Sequence, residues 1–400
     1  MLKASMDPEV SVTEGPVASR DRVLGLDLAR GAMLLFIALA NTHLFLRGAT
    51  VLGGYPQDGS PVDRAVIWTL TTFVDGRAFP MFGLLFGYGV AQLARRHESA
   101  GPRWVTRLLW RRCTVLIGVG TVDALLFFEG DILAAYGVLL IVGVWMIRWK
   151  DRSLLLVAFG SFALYALLGG ASMFMTGEGP DATKLPTNLA DMITDRVGSV
   201  LITPLFGPLM FLCPFAVGLW AGRRRLLERP GDHRRSLQVA AVAGLVGAVL
   251  GAQPVSLVLA GIVTPPELGA FSWIGALHAA TGVLGGVGYA ALLTLLAVRL
   301  RRPVNRVAAA IAATGQRSMT CYLMQSLVWA MIFTPALLDL SDVLSVAGTA
   351  VVATATWAGT VLLADWMRWS GHRGPFERLV RRVTYGGRST TQPGDAARST

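Results

Sequence analysis

Val23-Leu-Gly-Leu-Asp27-Leu-Ala-Arg30-Gly-Ala-Met-Leu-Leu-Phe-Ile-Ala-Leu-Ala-Asn41-Thr-His43-Leu-Phe-Leu46 carries two formal charges in a run long enough to cross a bilayer. About 20 mostly apolar residues span the hydrocarbon core as a helix. The same pattern recurs along the chain, at roughly 23–46, 65–94, 108–128, 131–148, 153–175, 197–222, 237–260, 271–298, 307–336 and 343–367. It predicts an all-α polytopic integral membrane protein of about ten transmembrane helices. The second and ninth runs are long enough to kink or re-enter. Pro80 sits inside the second, and Pro204, Pro208 and Pro214 are expected to interrupt the sixth.

Composition points the same way. Of 400 residues, 53% are hydrophobic and 15% charged, against roughly 25% charged in soluble domains. Too few charges remain to coat a soluble fold of this size, so lipid takes the place of a polar surface. The net charge of +11 comes from short clusters between apolar runs. A nucleic-acid surface needs a continuous basic stripe with interleaved aromatics, so that partner is excluded. Cys113, Cys213 and Cys321 lie singly in apolar runs, without a CxxC or a histidine at ligand spacing. Buried, inert thiols are expected, with neither a disulfide framework nor a metal site.

The domain plan is a polar cytoplasmic tail over 1–22, one helical membrane domain over 23–387 and a disordered tail over 388–400. Orientation follows from counting. With both ends inside, 29 of the 36 lysines and arginines fall in cytoplasmic segments, and only Arg47, Arg64, Lys184 and Arg196 fall outside. That is the positive-inside bias at every loop. Gly83/Gly87, Gly247/Gly251 and Gly282/Gly286 are small-xxx-small pairs expected at close helix contacts.

Ionisable groups inside membrane spans are costly, which makes each a functional hypothesis. Asp27 and Arg30, three apart, share a helix face and can pair. Asn41 falls on the same stripe, eleven residues beyond Arg30, whereas His43 does not. The pair either orients the helix or contributes to a ligand path. At the outer end, Asp123, Glu129 and Asp131 cluster about the turn between spans three and four. They either cap a solvated turn or support His43 as a general base. Asp75 and Arg77 form an in-membrane pair or mark a re-entrant hairpin, while His278 reads as a core histidine. Near the inner face, Gly315-Gln-Arg317-Ser-Met-Thr-Cys-Tyr-Leu-Met-Gln325-Ser326 adds Arg317 to the basic loops. Such a surface takes a phosphate-bearing ligand or anionic lipid headgroups.

The first-span motif occurs together with Phe73-Val-Asp-Gly-Arg-Ala-Phe-Pro-Met-Phe-Gly-Leu-Leu-Phe-Gly87, Glu129-Gly-Asp-Ile-Leu133, the Gly315–Ser326 stretch and Gly374-Pro-Phe-Glu-Arg-Leu-Val-Arg-Arg-Val-Thr-Tyr-Gly386. In this order they resemble the YeiB-like family of bacterial membrane proteins, classed as a domain of unknown function, from about residue 20 to 387. That family is distantly similar to transmembrane acyltransferases such as heparan-α-glucosaminide N-acetyltransferase and the sugar O-acyltransferases. The resemblance implies a multi-pass protein of the bacterial cytoplasmic (inner) membrane that transfers an acyl group from acyl-CoA (acetyl-CoA) inside to an acceptor outside. The sugar O-acyltransferases place a histidine eleven residues after the first-span arginine. Asn41 stands at that position here, with His43 two residues on.

The expected function is therefore membrane acyl transfer. His43 would be the base, supported by Asn41, Asp123, Glu129 or Asp131. Asp27, Arg30, Asp75, Arg77, Arg317, Gln325 and Ser326 would line the substrate or cofactor path. The alternative is a small-metabolite transporter or exporter, with Asp27–Arg30 and Asp75–Arg77 along its pathway. The expected partners are the lipid bilayer, a small-molecule substrate and a second copy in a homo-oligomer.

Overall fold

Each apolar run becomes helix, and the departures from the expected pattern lie where runs break. The computed structural model describes residues 23–172, 176–177, 179–180, 183–186, 188–300 and 305–385. The tails 1–22 and 388–400 lie outside the described residues.

Helix α1 (Leu24–Thr42) passes into a 3-10 turn at His43–Phe45. Strands β1 (Val51–Leu52) and β2 (Tyr55–Pro56) follow as a hairpin, pairing Val51 with Pro56, and β3 (Thr176–Gly177) pairs antiparallel with the other edge of β1. The hairpin turn is Gly53-Gly54, both at positive φ (59° and 83°), a conformation that costs glycine nothing. Helix α2 (Pro61–Phe73) starts from a capping box in which Ser60 and Asp63 satisfy each other's backbone N–H. The remaining helices are α3 (Ala78–Arg96), α4 (Pro102–Leu126), α5 (Leu133–Met146), α6 (Asp151–Ser172), α7 (Leu189–Arg223), α8 (Arg234–Leu259), α9 (Leu268–Arg299), α10 (Arg306–Gln316), α11 (Ser318–Phe333), α12 (Val346–Trp369) and α13 (Pro375–Tyr385). Six helical stretches among the described residues are long and apolar enough to cross a membrane.

Three expectations are refined. The second span is two helices, α2 and α3, broken at Val74–Arg77 with Gly76 at φ +74°. The freed carbonyls are collected by the buried Arg77 guanidinium. Its Nη1 donates to the Thr71 carbonyl at 3.1 Å and to that of Asp75, and its Nη2 donates to Ala248 O at 2.8 Å. Broken helices in membranes need such internal partners. Glycines make the room: a Cβ on Gly282 would lie 2.6 Å from Gly76 O, and one on Gly286 would lie 2.7 Å from Met81 N. The ninth span is likewise two helices, α10 and α11, meeting at Arg317. The sixth is not interrupted: α7 runs 35 residues through Pro204, Pro208 and Pro214.

The other glycine pairs serve close contacts too, except Gly247, which faces open space. Gly87 meets the Phe215 carbonyl, Gly83 meets Pro214, and Gly251 meets Thr281. Long-range ion pairs sort the loops into two groups. Arg95 pairs with Glu228 at 2.6 Å, and Arg223 and Arg224 pair with Asp151 at 3.1 Å. At the other group of loops, Arg47 pairs with Asp342 at 2.6 Å and Lys184 with Glu129 at 2.9 Å.

Candidate functional site

A cavity of about 680 Å³ opens among α1, α3, α4, α5, the α10–α11 junction and α13. Its walls hold Arg30, Arg96, Arg112, Arg317, Arg368, Arg373 and Arg381, seven guanidinium groups against the carboxylates of Asp27 and Glu377. Both carboxylates already have partners. Asp27 lies 3.7 Å from Arg30, as its three-residue spacing predicts, and accepts from Gln316 Nε2 at 3.0 Å. Glu377 caps α11, accepting from the N–H groups of Met319 and Thr320 at 2.9 and 3.1 Å. Arg317, at the helix break, donates to Ala313 O at 3.2 Å and His372 O at 2.6 Å. Arg96, Arg112, Arg373 and Arg381 make no ion pair among the described residues. The lining also holds apolar and aromatic side chains, Phe82, Phe86, Ile132, Leu133, Tyr136 and Tyr322, with the Arg112 guanidinium 5.8 Å from the Phe86 ring centroid. A ligand with a polyanionic head and a less polar arm fits this mixed lining.

A second constellation gathers at the hairpin end. The buried His43 ring stacks on Tyr55, with centroids 3.9 Å apart and planes 7° from parallel. The Tyr55 hydroxyl donates to Asp75 Oδ2 at 2.6 Å. His43 Nδ1 faces Leu39 O at 3.4 Å. With the ring proton assigned there, Nε2 is the acceptor, and it faces the hairpin turn, where a Cβ on Gly54 would lie 3.5 Å away. Asp75 and Arg77 thus do not form the expected carboxylate–guanidinium pair, because Tyr55 takes the carboxylate and Arg77 takes backbone carbonyls.

The acids expected to support His43 are placed elsewhere. Asp123 accepts from Ser326 Oγ at 2.9 Å, Asp131 caps α5 through Ala134 N at 3.0 Å, and Glu129 pairs with Lys184. Asn41 turns back on its own helix, donating to Ile37 O at 2.7 Å, and Gln325 donates to Leu34 O at 3.2 Å. None of Asn41, Asp123, Glu129 and Asp131 bonds to His43 among the described residues. The rings of Phe45, Phe128, Trp329 and Phe333 pack together, Phe45 on Phe333 at 4.9 Å and Phe128 on Trp329 at 5.0 Å. This aromatic wall joins the turn that carries His43 to the helix that carries Tyr322.

Sequence reasoning missed Tyr55, Arg112 and Glu377. Tyr55 carried a usable signal, since it closes a Gly-Gly hairpin soon after the first span. His278, read as a core histidine, is fully buried and meets Arg77 Nη1 through Nε2 at 2.8 Å.

Three comparisons bear on kinship. A family model described as "Protein of unknown function (DUF418)" matches residues 221–387, the part that carries α8 to α13. The uncharacterized protein YxaH of Bacillus subtilis (strain 168) is 27% identical, over 92% of this chain and 96% of its own length. The uncharacterized protein YeiB of Escherichia coli (strain K12) is 33% identical over 132 residues, 32% of this chain and 31% of its own. No solved structure matches the chain.

Proposed function

We propose that this chain, which matches the DUF418 family model over residues 221–387 and is similar to YxaH and YeiB, is a membrane acyltransferase using acyl-CoA at the inner face and an acceptor at the outer face. The observation that carries the reading is the cavity, with seven arginines against two carboxylates and with aromatic side chains in its lining. Guanidinium forks match phosphate oxygens in pairs, and about 680 Å³ falls within the roughly 300–1,000 Å³ of small-molecule sites. The donor set therefore fits coenzyme A, whose thioester supplies the activated acyl group when bound. Arg96, Arg112, Arg317 and Arg373 hold its phosphates.

His43 is the base of this reading. Its Nε2 takes the proton from an acceptor hydroxyl or amine arriving at the hairpin, and Tyr55 fixes the ring by stacking while it is itself anchored on Asp75. His43 is not among the residues that line the cavity, so transfer requires the acyl arm to reach beyond that lining.

The same reading includes ten spans with both ends cytoplasmic. The two-sided sorting of the ion pairs supports it, since each pair joins loops that the arginine bias assigns to one side. The cavity mouth then opens to the cytoplasm of a bacterial inner-membrane protein. The alternative is a small-metabolite transporter. The buried acids Asp123 and Asp131 favour it, because each keeps one oxygen without a hydrogen-bond partner beside elements that close the cavity.

The test uses purified protein in sealed vesicles with labelled acetyl-CoA outside and envelope extract within. Transfer of label to an acceptor inside, lost in His43→Ala with acetyl-CoA binding kept, supports the enzyme. Equal transfer by His43→Ala removes His43 as base. Movement of unmodified solute without acyl transfer establishes the transporter instead.

A further inference from the structure

Helix α13 has two faces in different surroundings. Glu377, Val380, Arg381, Thr384 and Tyr385 line the cavity. The helix is also fixed against rolling. At its start Glu377 accepts from Met319 N, Thr320 N and, at 2.5 Å, the Thr320 hydroxyl. At its end Arg111 Nη1 donates to Thr384 O at 3.4 Å, and the Tyr385 ring lies 6.1 Å from that of His97. Arg378, Leu379, Arg382 and Val383 are left facing away, with the two apolar side chains 40% and 38% exposed.

The neighbouring helix marks the level at which that face lies. Helix α12 ends at Trp366 and Trp369, which are 59% and 76% exposed. Exposed tryptophans at the end of an apolar helix mark the membrane–water boundary. A short turn with Gly371 at φ +69° then redirects the chain into α13. An eleven-residue helix at that boundary, with arginines beside apolar side chains on its open face, has the pattern of an interfacial helix. Arginine stems run along the acyl boundary while their heads reach the headgroups, and anionic lipid attracts each such charge.

We infer that the outward face of α13 lies on the membrane surface and takes anionic lipid headgroups through Arg378 and Arg382, with Leu379 and Val383 at the acyl boundary. The opposite face of the same short helix walls the arginine-lined cavity. Anionic lipid therefore bears, through a helix that protein contacts already fix, on one wall of the cavity. None of this depends on what the cavity binds or on the acyl-transfer reading.

The test places the purified full chain carrying Val383→Cys, labelled with a polarity-sensitive dye, in lipid nanodiscs. The native cysteines are buried, so the label goes to position 383. Discs of phosphatidylcholine alone are compared with discs containing phosphatidylglycerol. The expected result is a blue shift in the anionic discs that high salt reverses and that Arg378→Gln with Arg382→Gln removes, with unchanged thermal midpoints. Those two side chains are exposed, so the paired variant folds. A dye equally wet in both discs overturns the inference. So does a shift that ignores lipid charge and survives the paired variant, which would put a second copy of this chain on the face.

Discussion

Arg77 and His278 meet at 2.8 Å, Nη1 to Nε2, where α2 gives way to α3. Both side chains are fully buried. The guanidinium joins α9 to three carbonyl groups, so one side chain holds the break that points Asp75 at Tyr55.

Arg77→Ala strands the Asp75 carbonyl and takes a donor from the carbonyls of Thr71 and Ala248. A buried polar group without a partner costs about 1–3 kcal/mol, so a loss of several kcal/mol is expected in thermal unfolding. Arg77→Lys recovers only part of this, because one ammonium cannot replace the fork that reaches both helices. An unchanged midpoint for Arg77→Ala would show that the break is held by other contacts.

The glycine contacts discriminate sharply between positions. A Cβ at Gly315 would fall on the Asp27 carbonyl, whereas one at Gly118 meets nothing within 4 Å. Overpacking costs about 1–3 kcal/mol, and that loss is expected of Gly315→Ala. Gly118→Ala is expected to be neutral, or stabilising by about 0.5–1 kcal/mol from helix propensity. Matching shifts in the two variants would contradict the α1–α10 contact.

Asp63 ties two helix starts together, accepting from Ser60 at α2 and from Ala347 N at 2.8 Å at α12. Burial pushes its carboxyl up, but the hydrogen bonds from Ala347 and Ser60 outweigh it and hold the group below the usual aspartate range. A depressed folded value means stability present above the unfolded value of about 3.9 and lost as pH falls through the folded one. Thermal stability should therefore decline below about pH 4 and decline less steeply in Asp63→Asn. Parallel acid limbs for the two proteins would rule out this linkage.

The parts of the fold legible in the sequence are those that local spacing encodes. The three-residue spacing of Asp27 and Arg30 predicts their pairing, and the Gly282/Gly286 pair marks a face that admits another backbone. The ninth-span break also left a trace, because Thr314-Gly-Gln-Arg-Ser318 is a polar run inside an apolar one. What stayed hidden depends on which helices face each other. Ser326 and Asp123 are 203 residues apart, and Glu377 reaches back 58 residues to cap α11. Spacing on one helix carries no information about such partners. Chain order and depth therefore group the acids with His43, whereas its ring neighbour in the fold is Tyr55.

If the arginine-lined cavity binds the phosphates of coenzyme A, the thermal midpoint of the purified protein should respond to acetyl-CoA concentration. A ligand that binds only the folded state stabilises it by about 2.7 kcal/mol at a hundred times its Kd. The account predicts a saturable rise with acetyl-CoA and none with acetyl-pantetheine, which has the thioester arm but lacks the nucleotide phosphates. It also predicts at least about a tenfold weaker effect, roughly 1.4 kcal/mol, when Arg112→Gln and Arg373→Gln are combined. No rise at millimolar acetyl-CoA, or an equal rise in the paired variant, would contradict it.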